Sequence, residues 1–266
     1  MVFTREKIKS VQEALLDAKL IAVVGHKSPD GDAVGSCLAL ANYLNLNHPT
    51  VEVCMPDSHP HFFNWLTGAD EIMNLNDHPE KTMEVIKEAD VIFCLDFNAL
   101  SRLGDKMEEL VKKSQAFKVM IDHHLYPSDE FHVSFSDTSA CATAQLVYDF
   151  IVAMGHKKYL HRSIGEAIYC GIMTDSGSFR YPAVTAHTHE VIAEILKLGV
   201  SHEMIHESVF DTNTLSRLKL RGYATNEKLE ILPEYATAII SLTADELEKF
   251  NYIHGDTDGL VNVGLS

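Results

Sequence analysis

The stretch "LIAVVGHKSPDGDAVGSCLALANYLNL", residues 20–46, decides the fold. It opens on an uninterrupted apolar run of strand length and closes, from Gly31 onward, on apolar residues at helical spacing. Between the two lie His26, Asp30 and Asp32. The segment reads as one β-loop-α step whose loop carries an imidazole and two carboxylates.

The same pattern extends outward. "REKIKSVQEALLDAK" leads into this strand with Ile8, Val11, Ala14 and Leu15 at helical spacing, and "TVEVCM", "VIFCLDF" (91–97) and "FKVMID" (117–122) are further strands. Helical stretches near 79–89 and 103–114 separate the later ones. Strands written as nearly continuous apolar runs, alternating with helices, predict an α/β fold with a parallel sheet covered on both faces. Loops at the carboxyl ends of such strands build the site. The polar exceptions fall there: His26, Asp30 and Asp32 after one strand, Asp96 ending a second, and Asp122, His123 and His124 ending a third. Further on, "CATAQLVYDFIVAMG" and "LHRSIGEAIYCGIMTD" predict two helices, the second ending at Asp175 with "SGSFRYP" after it. A largely helical stretch covers 186–226, and the tail "KLEILPEYATAIISLTADELEKF" reads as strand, turn, strand, helix, the opening of a second, smaller α/β unit.

The 266 residues are 46% hydrophobic and 23% charged, the composition of an ordinary globular protein. A formal net charge of −16 argues against a broad footprint for long nucleic acids, which are held by Lys and Arg on phosphates. A short anionic substrate at a metal-rich site stays compatible with it, because bound divalent cations reverse the local field. Cys37, Cys54, Cys94, Cys141 and Cys170 are far apart, form no CxxC pair, and read as reduced core thiols of a cytoplasmic protein. The charged start "MVFTREKIKS" does not resemble a signal peptide, and no apolar run reaches the length of a membrane span.

A single aspartate at a strand end usually caps a helix or shapes a turn. Four separate segments, "HKSPDGD", "CLDF", "IDHH" and "IMTDSGS", each placing acidic or imidazole groups at the end of a regular element, point instead to a shared site. Mixed His and Asp donors without cysteine suit a first-row divalent ion, Mn²⁺ more naturally than Mg²⁺, with Zn²⁺ also open. Two ions about 3.5–4 Å apart, sharing one carboxylate, can clamp the attacking and leaving oxygens of a phosphoryl displacement. Gly25, Gly31 and Gly35 are expected to let the loop turn sharply and bring backbone N–H groups to an anion. The chain has neither GxxxxGK[ST] after a strand nor GxGxxG spacing, which disfavours P-loop and dinucleotide sites.

In this order, "HKSPDGDAVGS", "CLDF", "IDHH" and "GIMTDSGSFRY" resemble the DHH phosphoesterase family, within it the bacterial branch of bifunctional oligoribonucleases and pAp phosphatases. The resemblance implies a DHH catalytic domain over 1–185, a helical connector over 186–226 and the beginning of a DHHA1 substrate-binding domain over 227–266. It implies two Mn²⁺ ions, one held by His26, Asp30 and Asp96 and the other by Asp32, Asp96, His123 and Asp175, with Asp96 bridging. His124 would act on the scissile phosphate or the leaving group, with Asp122 orienting it from behind. Arg102 and Arg180 are candidate phosphate contacts. The family's "GGGH" motif does not occur before the chain ends at "GDTDGLVNVGLS", so weakened nucleotide selectivity and rate are expected.

The activity implied is removal of the 3′-phosphate from pAp and release of mononucleotides from very short RNA. The alternatives are cleavage of linear dinucleotides, manganese-dependent pyrophosphate hydrolysis, and a non-catalytic module that binds nucleotide or metal. The oligomeric state is open. No membrane partner is expected.

Overall fold

The computed structural model describes residues 2–253 and 255–265. The chain begins with α1 (Arg5–Leu16), started by Thr4, whose hydroxyl accepts the Lys7 amide, and buried along Ile8, Val11 and Leu15. There follow β1 (Ile21–Val24), α2 (Gly31–Leu44), β2 (Val51–Met55), β3 (Met73–Asn74), α3 (Pro79–Glu88), β4 (Val91–Leu95) and α4 (Asp105–Lys113). Next come β5 (Phe117–Asp122), β6 (Val133–Ser136), α5 (Thr143–Ala153), α6 (Arg162–Asp175), α7 (Ala186–Leu196) and α8 (His202–Phe210).

The six strands form one all-parallel sheet in the order β3-β2-β1-β4-β5-β6. β1 lies between β2 and β4, with Val24 opposite Cys54 on one side and Cys94 on the other. Alternate residues serve opposite faces. Ala22, Val24, Ile92 and Cys94 pack with Val85 and Ile86 of α3 and Met107 and Val111 of α4. On the other face, Phe93 meets Phe150 of α5 edge to face, with ring centroids 6.0 Å apart. Both faces are therefore buried, which is why β1 and β4 read as unbroken apolar runs.

α2 and α6 approach so closely that glycine is required between them. A Cβ on Gly35 would lie 2.5 Å from the Ala167 carbonyl oxygen and 2.9 Å from the Gly171 nitrogen. One on Gly171 would lie 2.6 Å from Ala144 Cβ and 2.9 Å from Asp32 Oδ1, so α5 joins the same junction. Gly31 faces the Thr174 side chain in the same way. For Gly31 and Gly35 this corrects the expectation that they serve the turn. Gly31 and Gly35 lie inside α2, neither they nor Gly25 has positive φ, and the demand on Gly31 and Gly35 is helix packing.

The chain divides into two compact units, Met1–His59 with Phe63–Ile205, and Pro60–Phe62 with His206–Ser266, the division falling inside α8. In the second, α9 (Leu215–Glu227) precedes an antiparallel hairpin of β7 (Leu229–Leu232) and β8 (Thr237–Ile240), then α10 (Ala244–Lys249). Thr243 and Glu246 close a capping box at the start of α10, and Glu246 also accepts from Tyr223 and Lys228. No helix among the described residues is long and apolar enough to cross a membrane.

Candidate metal centre

In this strand order the chain turns one way out of β1, toward β2, and the other way out of β4, toward β5, leaving a crevice at their carboxyl ends. The chemistry-bearing residues gather there. His26 follows β1, and Asp96 immediately follows β4 with φ of +65°, a left-handed conformation that aspartate tolerates better than most residues. Asp122 closes β5 and is followed by His123 and His124. Asp30 is the N-cap of α2, its Oδ1 accepting the Asp32 and Ala33 amides, while Asp32 lies in the first turn. Those two N–H groups are committed to Asp30 and are not offered to a substrate anion. Asp175 ends α6.

Donor atoms within 4.8 Å of one another define three groupings: His26 with Asp30 and Asp96; Asp32 with His123 and Asp175; and Asp96 with His123 and His124. Asp96 faces two ways. Its Oδ2 is 3.5 Å from His26 Nε2, and its Oδ1 is 3.6 Å from His123 Nε2. His26 Nε2 also lies 3.8 Å from Asp30 Oδ1, and His123 Nε2 lies 3.5 Å from Asp175 Oδ2 and 3.9 Å from Asp32 Oδ2. Both rings are tied from behind: His26 Nδ1 donates to the Lys27 carbonyl at 2.8 Å and His123 Nδ1 to the Ala140 carbonyl at 3.2 Å. With Nδ1 committed to a carbonyl, Nε2 of each ring is the atom that faces the carboxylates, the usual orientation of a ligating histidine.

Charge in the crevice is unbalanced. Burial raises the Asp32 carboxyl well above the usual range, and the facing Asp96, Asp175 and Asp30 add to it. Asp175 is pushed up to about 6 by burial, with His123 opposing and Asp96 and Asp30 reinforcing. Burial opposes protonation of His26, but its side-chain interactions with Asp30 and Asp96 outweigh that and carry it up to about 10. Burial would raise Asp96 too, yet His26, His123 and His124 hold it below the usual carboxylate range. These opposed shifts follow from four carboxylates gathered in one crevice, an arrangement that calls for positive charge. Cys37, fully buried close to Asp32 and Asp96, is kept as a neutral thiol by burial, so the donors are oxygen and nitrogen. Such a set fits divalent cations of the first transition row.

His124 stands beside this set, its ring edge-on to His123 at 4.8 Å between centroids. Asp122, completely buried, accepts from His124 Nδ1 at 2.8 Å through one oxygen and from the His124 amide at 3.1 Å through the other. That hydrogen bond raises the His124 pKa against the opposing effect of burial, while the charge of Arg102 lowers it. Arg102 is exposed, and its carbonyl accepts the Lys27 amide at 2.9 Å. Arg180 is also exposed and gives its Nε to the Gly177 carbonyl at 2.7 Å, beyond the end of α6. Ser178 and Phe179 of that turn have φ of +58° and +64°.

One residue here was not singled out from the sequence. Thr143 donates its hydroxyl to Asp96 Oδ1 at 2.9 Å and its amide to Asp32 Oδ2 at 2.6 Å. Its only sequence signal was position: a threonine near the start of a helix.

A parallel α/β domain with carboxylates and imidazoles gathered at the switch point of its sheet is the frame of a metal-dependent hydrolase. The N-terminal domain of the DHH family matches residues 20–172. The chain belongs to the DHH family and is a phosphoesterase of that family. It is similar to a solved exopolyphosphatase-related protein from Bacteroides fragilis, with TM-score 0.92 and 38% identity, covering 99% of this chain and 77% of that one. The probable bifunctional oligoribonuclease and PAP phosphatase NrnA of Streptococcus mutans is 28% identical over 91% of this chain and 72% of its own length. The bifunctional oligoribonuclease and PAP phosphatase NrnA of Thermus thermophilus is 31% identical over 73% and 55% respectively.

Proposed function

We propose that this chain hydrolyses phosphate esters in small nucleotides, as a 3′-phosphatase on pAp and an exoribonuclease on very short RNA, with two Mn²⁺ ions, in the cytoplasm. The observation that carries the reading is the double-facing Asp96, one oxygen toward His26 and Asp30 and the other toward His123, which in turn faces Asp32 and Asp175. The relatives named as oligoribonucleases and PAP phosphatases support the substrate class. In this reading residues 1–185 are the DHH domain, 186–226 the connector and 227–266 the beginning of a DHHA1 domain.

His26, Asp30 and Asp96 would hold one ion, and Asp32, Asp96, His123 and Asp175 the other. Bound there, divalent cations supply Lewis-acid stabilisation of the charge developing on the phosphoryl oxygens. The chain does the rest. His26 and His123, locked through Nδ1, keep Nε2 directed inward. Asp122 commits His124 Nδ1, so Nε2 is the atom left to carry a proton to the departing ester oxygen. Arg102, beside His124, binds a non-bridging phosphate oxygen, and Arg180 is a second phosphate contact from the turn after α6.

Product release from pAp, a 5′-phosphorylated RNA dinucleotide and pyrophosphate, each with Mn²⁺ and with chelator, tests the proposal. Metal-dependent cleavage of the first two supports it. Cleavage of pyrophosphate alone, or no turnover by folded protein loaded with Mn²⁺, refutes it.

A further inference from the structure

Thr143 makes contact with both groupings at once. Its hydroxyl bonds Asp96 Oδ1, its amide bonds Asp32 Oδ2, and the next amide, Ala144, bonds Asp32 Oδ1 at 2.8 Å. These partners are 47 and 111 residues away in the sequence. Thr143, Asp32 and Asp96 are 0%, 1% and 2% exposed, so no water competes for these bonds.

Two features separate this from ordinary capping. Ala142, the N-cap of α5, has no side chain able to cap, and Asp32 supplies a carboxylate to the first two amides from another helix. In addition, the Thr143 hydroxyl has no helical carbonyl four residues back to bond, because it occupies the first position of α5. Its proton is committed to Asp96.

Asp96 needs such a partner. A carboxylate on a residue of positive φ, facing two groupings with different oxygens, does its work only if its terminal torsion is fixed. A donor on Oδ1 fixes it and leaves that oxygen a second lone pair for a cation. We propose that Thr143 is a positioning residue that sets the rotation of Asp96 so that each oxygen serves one ion, and that α5 fixes Asp32 through the same residue. The inference rests on the two-ion reading above. Partners of this kind typically contribute 10–100-fold to metal affinity.

The test is calorimetric titration of the full chain with Mn²⁺, comparing wild type with Thr143→Val, Thr143→Ala and Thr143→Ser, alongside thermal unfolding in chelator. Valine preserves the shape and removes the donor; alanine removes the donor by a second route should valine not fold; serine keeps the donor. The expected result is about 10–100-fold weaker Mn²⁺ binding in the valine and alanine variants. Serine should restore affinity to within a few-fold, with chelated valine and serine proteins unfolding at similar temperatures. Wild-type affinity and stoichiometry in Thr143→Val, or an equal loss in Thr143→Ser, would overturn the assignment while leaving the two-ion reading intact. Absence of Mn²⁺ binding by wild type would remove that reading and this inference with it.

Discussion

Replacing Gly35 by alanine tests whether the junction of α2 and α6 holds the site together. The new Cβ would start 2.5 Å from the Ala167 carbonyl oxygen and 2.9 Å from the Gly171 nitrogen, against 3.4 Å for ordinary contact. Both obstacles are backbone, so no side chain can swing aside, and the helices must part by about 1 Å. Overpacking of this kind costs about 1–3 kcal/mol, which for a domain of this size lowers the unfolding temperature by about 2–12 °C. The displacement also reaches the crevice, since Asp32 on α2 and Asp175 on α6 approach His123 Nε2 at 3.9 and 3.5 Å from these two helices. Mn²⁺ affinity should therefore fall together with stability. The assay is thermal unfolding with and without Mn²⁺, using Gly222→Ala as reference, because nothing lies within 4 Å of a Cβ there and helix propensity favours alanine. Gly35→Ala unfolding within 1 °C of wild type at unchanged Mn²⁺ affinity would refute the packing argument.

Asp96→Ala removes a donor from both groupings and should abolish turnover together with Mn²⁺ binding at both positions, read by calorimetric stoichiometry; two ions retained at normal affinity would contradict the bridging role. His124→Ala should lower kcat by about 10²–10⁴-fold while largely sparing metal content, the size expected for loss of a proton donor; equal loss of metal would place His124 among the ligands. Asp90 accepts the Leu20 and Lys19 amides at the entry to β1, and these bonds hold its carboxyl below the usual carboxylate range. A carboxyl lowered on folding contributes stability that is present above its unfolded pKa and is lost as pH falls through its folded one. Asp90→Ala should therefore unfold earlier than wild type at pH 7, with the difference closing below about pH 4; a difference that persists in acid would show that the charge is not responsible.

The buried strands were legible because burial on both faces leaves only apolar residues, as in "LIAVV" and "VIFCLDF". Two edge strands were not. β3 has only two residues, and β6, "VSFS", is half covered, so its serines read as loop. The aspartates and histidines of the crevice stood out as polar breaks at the ends of apolar runs, and the structure brings His26, Asp30, Asp32, Asp96, His123, His124 and Asp175 together in the three groupings. Thr143 escaped because a threonine opening a helix has a sufficient local explanation, and its bond to Asp96 depends on how β4 and α5 are brought together. The glycines of α2 were read as turn residues for the same reason: the helix that requires them, α6, comes well over a hundred residues later.

The most direct measurement is anomalous diffraction at the manganese edge from crystals of the full chain grown with Mn²⁺. The account predicts two peaks flanking the Asp96 carboxylate, one beside His26 and Asp30 and the other beside Asp32, His123 and Asp175. A single peak, or peaks that do not share Asp96, would contradict it.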